Sequence, residues 1–251
     1  MAAFFRRLGV LRRSALCIGA AASLMGIAGA AQGAAAPTAA TAAAAPAVAA
    51  PAVASDWHAA VRELAAKNFK NPAWGYSHCL RDYALARELA AADHVALDDD
   101  VLFAAAYLHD MAAFPPWEKE KADHSDVAAD IVHTVLGGTG FPMAKIDAVR
   151  AAIRTHMYYR DPAGPEVLYL HDADALDWLG AIGAARIFGL VDPKGGNPDG
   201  PQAVKMLEDN LKNVPARVLS PAGRARVPLR QAELQKFLAD LRRESAELRT
   251  L

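Results

Sequence analysis

The chain is poor in cysteine: two in 251 residues, Cys17 and Cys79. Cys17 lies in a segment that reads as removable, which leaves Cys79 without a partner and excludes an intrachain disulfide in the remainder. Positive charge is not in excess either. There are 27 Lys and Arg against 28 Asp and Glu, and four of the arginines (Arg6, Arg7, Arg12, Arg13) fall in that same segment. Without them 23 basic face 28 acidic residues, a net charge of about −5, which excludes the basic footprint of a nucleic-acid binder. The sequence has no internal repeat, few runs that alternate like strands, and no candidate membrane span after its first 33 residues.

Residues 1–33 have the three parts of a secretory signal peptide: the four arginines, an almost uncharged apolar run over residues 14–31, then the small residues Ala31-Gln32-Gly33-Ala34. This predicts an exported, periplasmic or secreted protein with no stable membrane span after cleavage. A retained anchor is the rival, but Ala and Gly are weak membrane formers. The pair Arg12-Arg13 also weakly resembles a twin-arginine signal. Residues 34–54 are Ala with Pro, Thr and Val and carry no charge, the composition of a linker. Residues 55–251 remain for one domain, long enough to bury a full core.

There the apolar residues recur at helical spacing, predicting eight or nine helices and an all-α fold. Ser77 is positioned to cap a helix reaching Ala90, Asp98–Asp100 to open the next, and Asp123 to cap a third. Pro142 and Pro165 sit where first helical turns begin. Gly137-Gly138 and residues 192–200 break the pattern. A last helix is expected over residues 228–248.

At about 100° per residue, several polar side chains fall on the apolar stripe of their own helix. His78 lies within about 40° of Asp82, Leu85 and Leu89. His109 faces the side of Leu102 and Ala105, and Asp174 that of Val167 and Trp178. His124 shares a side with Ala128, Ile131 and Val135, and His156 with Val149 and Ile153. One inward histidine is ordinarily a hydrogen-bonded core residue. Several on separate helices are harder to bury singly, because each needs a partner, and a shared metal ion satisfies them together. Imidazole and carboxylate donors suit Mn, Fe, Co, Ni or Zn and tolerate Mg. The same geometry rejects His133, which lies about 180° from His124, and Asp172, about 160° from Asp174 and read as a supporting or helix-surface residue. His171, about 60° away, reads as a supporting hydrogen bond, and His58 and His94 as surface residues.

These residues carry a resemblance. Ser77-His78-Cys79-Leu80-Arg81, Ala106-Tyr107-Leu108-His109-Asp110 and Leu170-His171-Asp172-Ala173-Asp174-Ala175-Leu176-Asp177 resemble the H…HD…D signature of the HD superfamily. The stretches from His124 to Ala129, from Ala152 to His156 and from Trp178 to Arg186 continue it, so it covers about residues 56–250. It implies an HD-domain helical bundle with a C-terminal helical extension and a divalent metal (Mn, Mg, Co, Ni, Fe or Zn) on His78, His109, Asp110 and Asp174. It also implies hydrolysis of a phosphate ester or anhydride on a small phosphorylated substrate, a class that includes nucleotides. The Gly-Tyr-Pro element of the cyclic-dinucleotide branch is missing, and there is no room for the synthetase partner of the alarmone hydrolases.

On this reading Asp110 both ligates and orients the attacking water, while His124 and His156 donate protons and hydrogen bonds or hold a second ion. Arg81 clamps a phosphate or pairs with a carboxylate such as Asp177. Lys119 and Lys121 are further substrate contacts, with a solvated charge cluster as the plainer alternative. Trp74, Tyr76, Phe114 and Trp117 wall a pocket or pack. Two rivals stand: an HD-fold di-iron oxygenase, whose ligand order H…HD…H…H…D the residues also fit, and a metal-binding protein without catalysis.

Overall fold

A computed structural model describes residues 56–251, and the expected signal peptide (residues 1–33) and linker (residues 34–54) lie outside them. The described residues form nine α-helices: α1 (Trp57–Asn68), α2 (Tyr76–Ala92), α3 (Asp99–Leu108), α4 (His124–Leu136), α5 (Ile146–Thr155), α6 (Pro165–Asp177), α7 (Gly180–Phe188), α8 (Gly200–Asn213) and α9 (Pro221–Glu244). Short 3-10 turns follow at Met111–Ala113, Met143–Lys145 and Pro215–Arg217, and no strand occurs among these residues.

Most boundaries follow the capping chemistry. Asp98 accepts the Asp100 and Val101 N–H groups, Asp123 accepts that of Ser125, and Pro165 occupies the first turn of α6. Two boundaries differ from expectation. Helix α2 starts at Gly75, not Ser77, which is exposed. A Cβ at residue 75 would stand 2.3 Å from the Asn71 carbonyl oxygen and 2.6 Å from that of Phe69, so the close approach of the backbone requires glycine. Helix α9 begins at Pro221 behind the Ser220 cap, and Pro228 lies inside it. A proline tolerated within a packed helix reads in sequence as a start, which shortened the expected element.

Helix α6 is the axis of the domain. It packs along α2 and against α3, α5, α7 and α9, and every residue from Tyr169 to Asp177 is buried. Helix α3 is buried over Val101–Leu108. Leu89, Leu102, Leu108 and Leu170 are fully enclosed between these helices, each contributing about 1.5–3 kcal/mol of apolar burial. Helices α4 and α5 close one side, and α9 runs along α7 on the other.

The cap of α4 has a pH signature. Asp123 accepts from Ser125 N at 2.9 Å, the Tyr159 hydroxyl at 3.0 Å and Arg160 Nη2 at 3.0 Å. Burial opposes its charge, but Arg160 and His124 outweigh burial and pull its pKa down to about 2. A carboxyl lower in the folded than in the unfolded chain stabilises fully above about pH 4, and that stability is lost as pH falls through about 2. Because the group is part-exposed, wild type should exceed Asp123→Asn by about 1 kcal/mol in urea unfolding at pH 6. The difference should fall away as pH drops below about 2; a difference unchanged by pH would contradict the ion-pair account.

Candidate metal centre

The chain ends of α3 and α5 build the site. His109 follows the last residue of α3 and His156 the last of α5. Last-turn carbonyls of a helix lack intrahelical donors, and each imidazole supplies one. His109 Nδ1 donates to Ala106 O at 2.9 Å and His156 Nδ1 to Ile153 O at 2.7 Å. On α2, His78 Nδ1 donates to Asp177 Oδ2 at 2.9 Å. An acceptor on each Nδ1 places a proton there, so that in the neutral imidazole Nε2 carries the lone pair.

Those lone pairs converge. His78 Nε2 and His109 Nε2 are 3.1 Å apart. Asp174 Oδ1 lies 3.3 Å and Asp82 Oδ2 3.1 Å from His78 Nε2, and Asp110 Oδ2 lies 3.3 Å from His109 Nε2. Two neutral imidazoles facing each other through lone pairs, ringed by carboxylates, repel unless a cation lies among them. His78, Asp82, His109 and Asp174 each offer a donor atom within 4.8 Å of the others, as do His109, Asp110 and His156, and all six are buried. His156 Nε2 and Asp174 Oδ2 have no hydrogen-bond partner. This donor set fits a divalent ion.

Asp110 joins the two groups. Its Oδ2 faces His109, while Oδ1 lies 3.0 Å from His124 Nε2 and 3.5 Å from His156 Nε2. Burial works against its charge, but His109, His124 and His156 hold the carboxyl well below the usual range. His124, at the first turn of α4, is the most open of the histidines here, at 11% side-chain exposure. Burial disfavours its charged form, but the Asp110 hydrogen bond prevails and raises its pKa.

Asp177 holds His78 from behind. It also receives Arg81 through Nε to Oδ1 at 2.9 Å and Nη2 to Oδ2 at 2.8 Å, and Arg186 Nη1 at 2.9 Å. Burial would raise its pKa, but Arg186, His78 and Arg81 hold it far below the carboxylate range. Arg186 is itself buried, lies 3.7 Å over the Trp178 ring, and donates Nε to Ala73 O.

Other expected residues sit elsewhere. Lys119 and Lys121 are exposed on the stretch before α4, with no ion pair to the cluster. Phe114 stacks on Phe69 at 4.9 Å and Trp117 meets the same ring at 6.1 Å, so both serve packing. His133 and His94 are exposed, as expected, whereas His58 stacks on Trp57 at 3.7 Å. Asp172 is not a surface residue. It is fully buried and accepts the Leu219 and Ser220 N–H groups at 2.9 and 2.6 Å, pinning the start of α9. His171 is buried beside it, Nδ1 to Asp172 Oδ1 3.1 Å. The sequence reading placed Asp82 on the inward stripe without including it in the site; its i,i+4 spacing from His78 was the available signal.

Histidines and aspartates brought from α2, α3, α5 and α6 to one buried point define a helical protein built around a metal-type centre. Residues 75–179 match the HD domain family, so this part of the chain is an HD domain. Among solved structures, the fold is similar to Bacillus subtilis YpgQ (20% identity, TM-score 0.58, 75% of this chain and 95% of that one). It is also similar to YpgQ in complex with ADP (21%, 0.58, 74% and 97%) and to a Lactobacillus plantarum protein (22%, 0.55, 76% and 97%). At these identities the likeness concerns the fold. No curated relative matches the sequence. The HD domain with its buried His/Asp cluster supports a metal-dependent hydrolase.

Proposed function

We propose that the protein is a metal-dependent phosphohydrolase that cleaves a phosphate ester or anhydride of a small molecule, with the ion on His78, His109, Asp110 and Asp174. The observation that carries this is the 3.1 Å approach of the His78 and His109 Nε2 atoms, both committed to metal-type lone pairs by their Nδ1 acceptors. The ADP in the YpgQ complex supports a phosphorylated ligand. A divalent ion bound there supplies Lewis acidity to a phosphoryl oxygen and lowers the pKa of a water.

The chain's own groups do the rest. Asp110 turns Oδ1 away from His78 and His109, where it accepts a hydrogen bond from the attacking water and orients it. His124, with its raised pKa and its opening to solvent, donates to a phosphate oxygen or to the leaving group. His156 presents Nε2 to the same space. Arg81, about a third exposed beside the cluster, is the cation assigned to the phosphate, with Lys119 and Lys121 as outer contacts. A second ion on His124 and His156 is the other reading, favoured by the split orientation of the two Asp110 oxygens. Metal stoichiometry separates the two, and iron content with oxygen uptake identifies a di-iron oxygenase.

The test is turnover on a panel of nucleotides and phosphoesters with Mn, Mg, Co, Ni, Fe or Zn, wild type beside Asp110→Ala. Metal-dependent phosphate release in wild type alone is expected. Full metal occupancy with no turnover across the panel would favour a non-catalytic metal-binding protein. Export through residues 1–33 belongs to the same proposal. An intact-mass measurement of the protein recovered from the periplasm or medium should show a start near residue 34; retention of residue 1 would oppose cleavage. Among the described residues no helix is long and apolar enough to cross a membrane.

A further inference from the structure

We infer that Asp82 is an additional ligand of the metal ion, giving the centre a third carboxylate. This assignment rests on the metal centre proposed above. Asp82 sits one turn after His78 on α2 and is fully buried. Its Oδ2 lies 3.1 Å from His78 Nε2 and 3.8 Å from His109 Nε2, and it shares the same 4.8 Å sphere with Asp174. Yet neither of its oxygens accepts a hydrogen bond. In the neutral ring the His78 nitrogen it faces is the one without a proton, because Nδ1 keeps the proton and donates its hydrogen bond to Asp177. Arg81 and Arg186, the cations on this side, bond to Asp177 and not to Asp82.

A buried carboxylate with no donor on either oxygen is among the costliest arrangements a core can hold. It is relieved if a cation occupies the point at which its oxygen and the two imidazole nitrogens meet. A third carboxylate beside two imidazoles also shifts the donor set towards oxygen, the preference of Mn2+ and Mg2+.

The experiment is calorimetric titration of metal-free protein with Mn2+, and with Co2+ in parallel, for wild type, Asp82→Asn, Asp82→Val and Asp174→Asn. Each is also melted without metal. Both Asp82 variants should bind Mn2+ at least about tenfold more weakly, since even indirect supporting partners cost that much. Their metal-free melting temperatures should equal or exceed that of wild type, because a buried unpaired carboxylate has gone. Asp82→Asn keeps the side-chain volume and decides the matter if Asp82→Val repacks. Wild-type affinity in both Asp82 variants, with loss in Asp174→Asn, would overturn the inference and leave the metal centre standing. No binding of either metal by wild type would overturn the centre itself and Asp82's role with it.

Discussion

Asp110→Ala is expected to lower turnover by at least about a thousandfold, the scale of the several kcal/mol that a positioned metal and its water contribute. Three losses combine. The ion loses a carboxylate, since Oδ2 stands 3.3 Å from His109 Nε2. The water loses its acceptor, which is the other oxygen. His124 and His156 lose the group that both face, at 3.0 and 3.5 Å. Asp110→Asn keeps the shape and one oxygen but not the charge, so it should retain more metal than Asp110→Ala while remaining far below wild type in kcat. Phosphate release at saturating Mn2+ separates the cases. Turnover in Asp110→Ala equal to wild type would sink the mechanism. Full recovery at high metal would reduce Asp110 to a ligand with no part in orienting water.

The second large effect belongs to a residue that touches neither water nor phosphate. Asp177 is 3% exposed at its side chain, accepts from His78 Nδ1 and Arg81, and forms an ion pair with the buried Arg186. Asp177→Ala leaves Arg186 a buried cation with no anion beside it. Breaking a buried pair from one side costs about 3–5 kcal/mol, so a large fall in the urea midpoint is expected. The imidazole of His78 also loses the bond that sets its tautomer, and metal affinity should fall by about 10–100-fold. Asp177→Asn, which still offers an oxygen to His78, should recover part of the affinity and little of the stability. A stability change below about 0.5 kcal/mol in Asp177→Ala would show that solvent, not Asp177, carries the two guanidiniums.

Periodicity located the inward-facing polar side chains where helices are amphipathic. On α2 and α5 the polar faces are wet, so helical phase separates inward His78 and His156 from their exposed neighbours. On α4 it likewise placed His133 outside. The method fails on α6, which is buried all round. There, a phase opposite to Asp174 meant another part of the core, and Asp172 turned out to hold the N–H groups before α9. Local rules also misplaced two helix starts. Ser77 is a good capping type, but the chain turns at Gly75, where contact with residues 69 and 71 admits no side chain. Pro228 resembles a start and lies mid-helix because Ser220 and Pro221 begin the helix earlier.

The sequence by itself determined the all-helical class, the inward stripes, and the set His78, His109, Asp110, His124, His156 and Asp174. These depend on residue type and on spacings of three and four, which a chain carries locally. Tertiary structure alone decided what each of those side chains faces. The proton on His78 is placed by Asp177, 99 residues away. The two arginines that neutralise Asp177 come from different helices. Asp82 looked in sequence like one more polar residue beside a histidine. It became a candidate ligand only when both of its oxygens proved to be buried without a donor, a property of surroundings that no local pattern encodes.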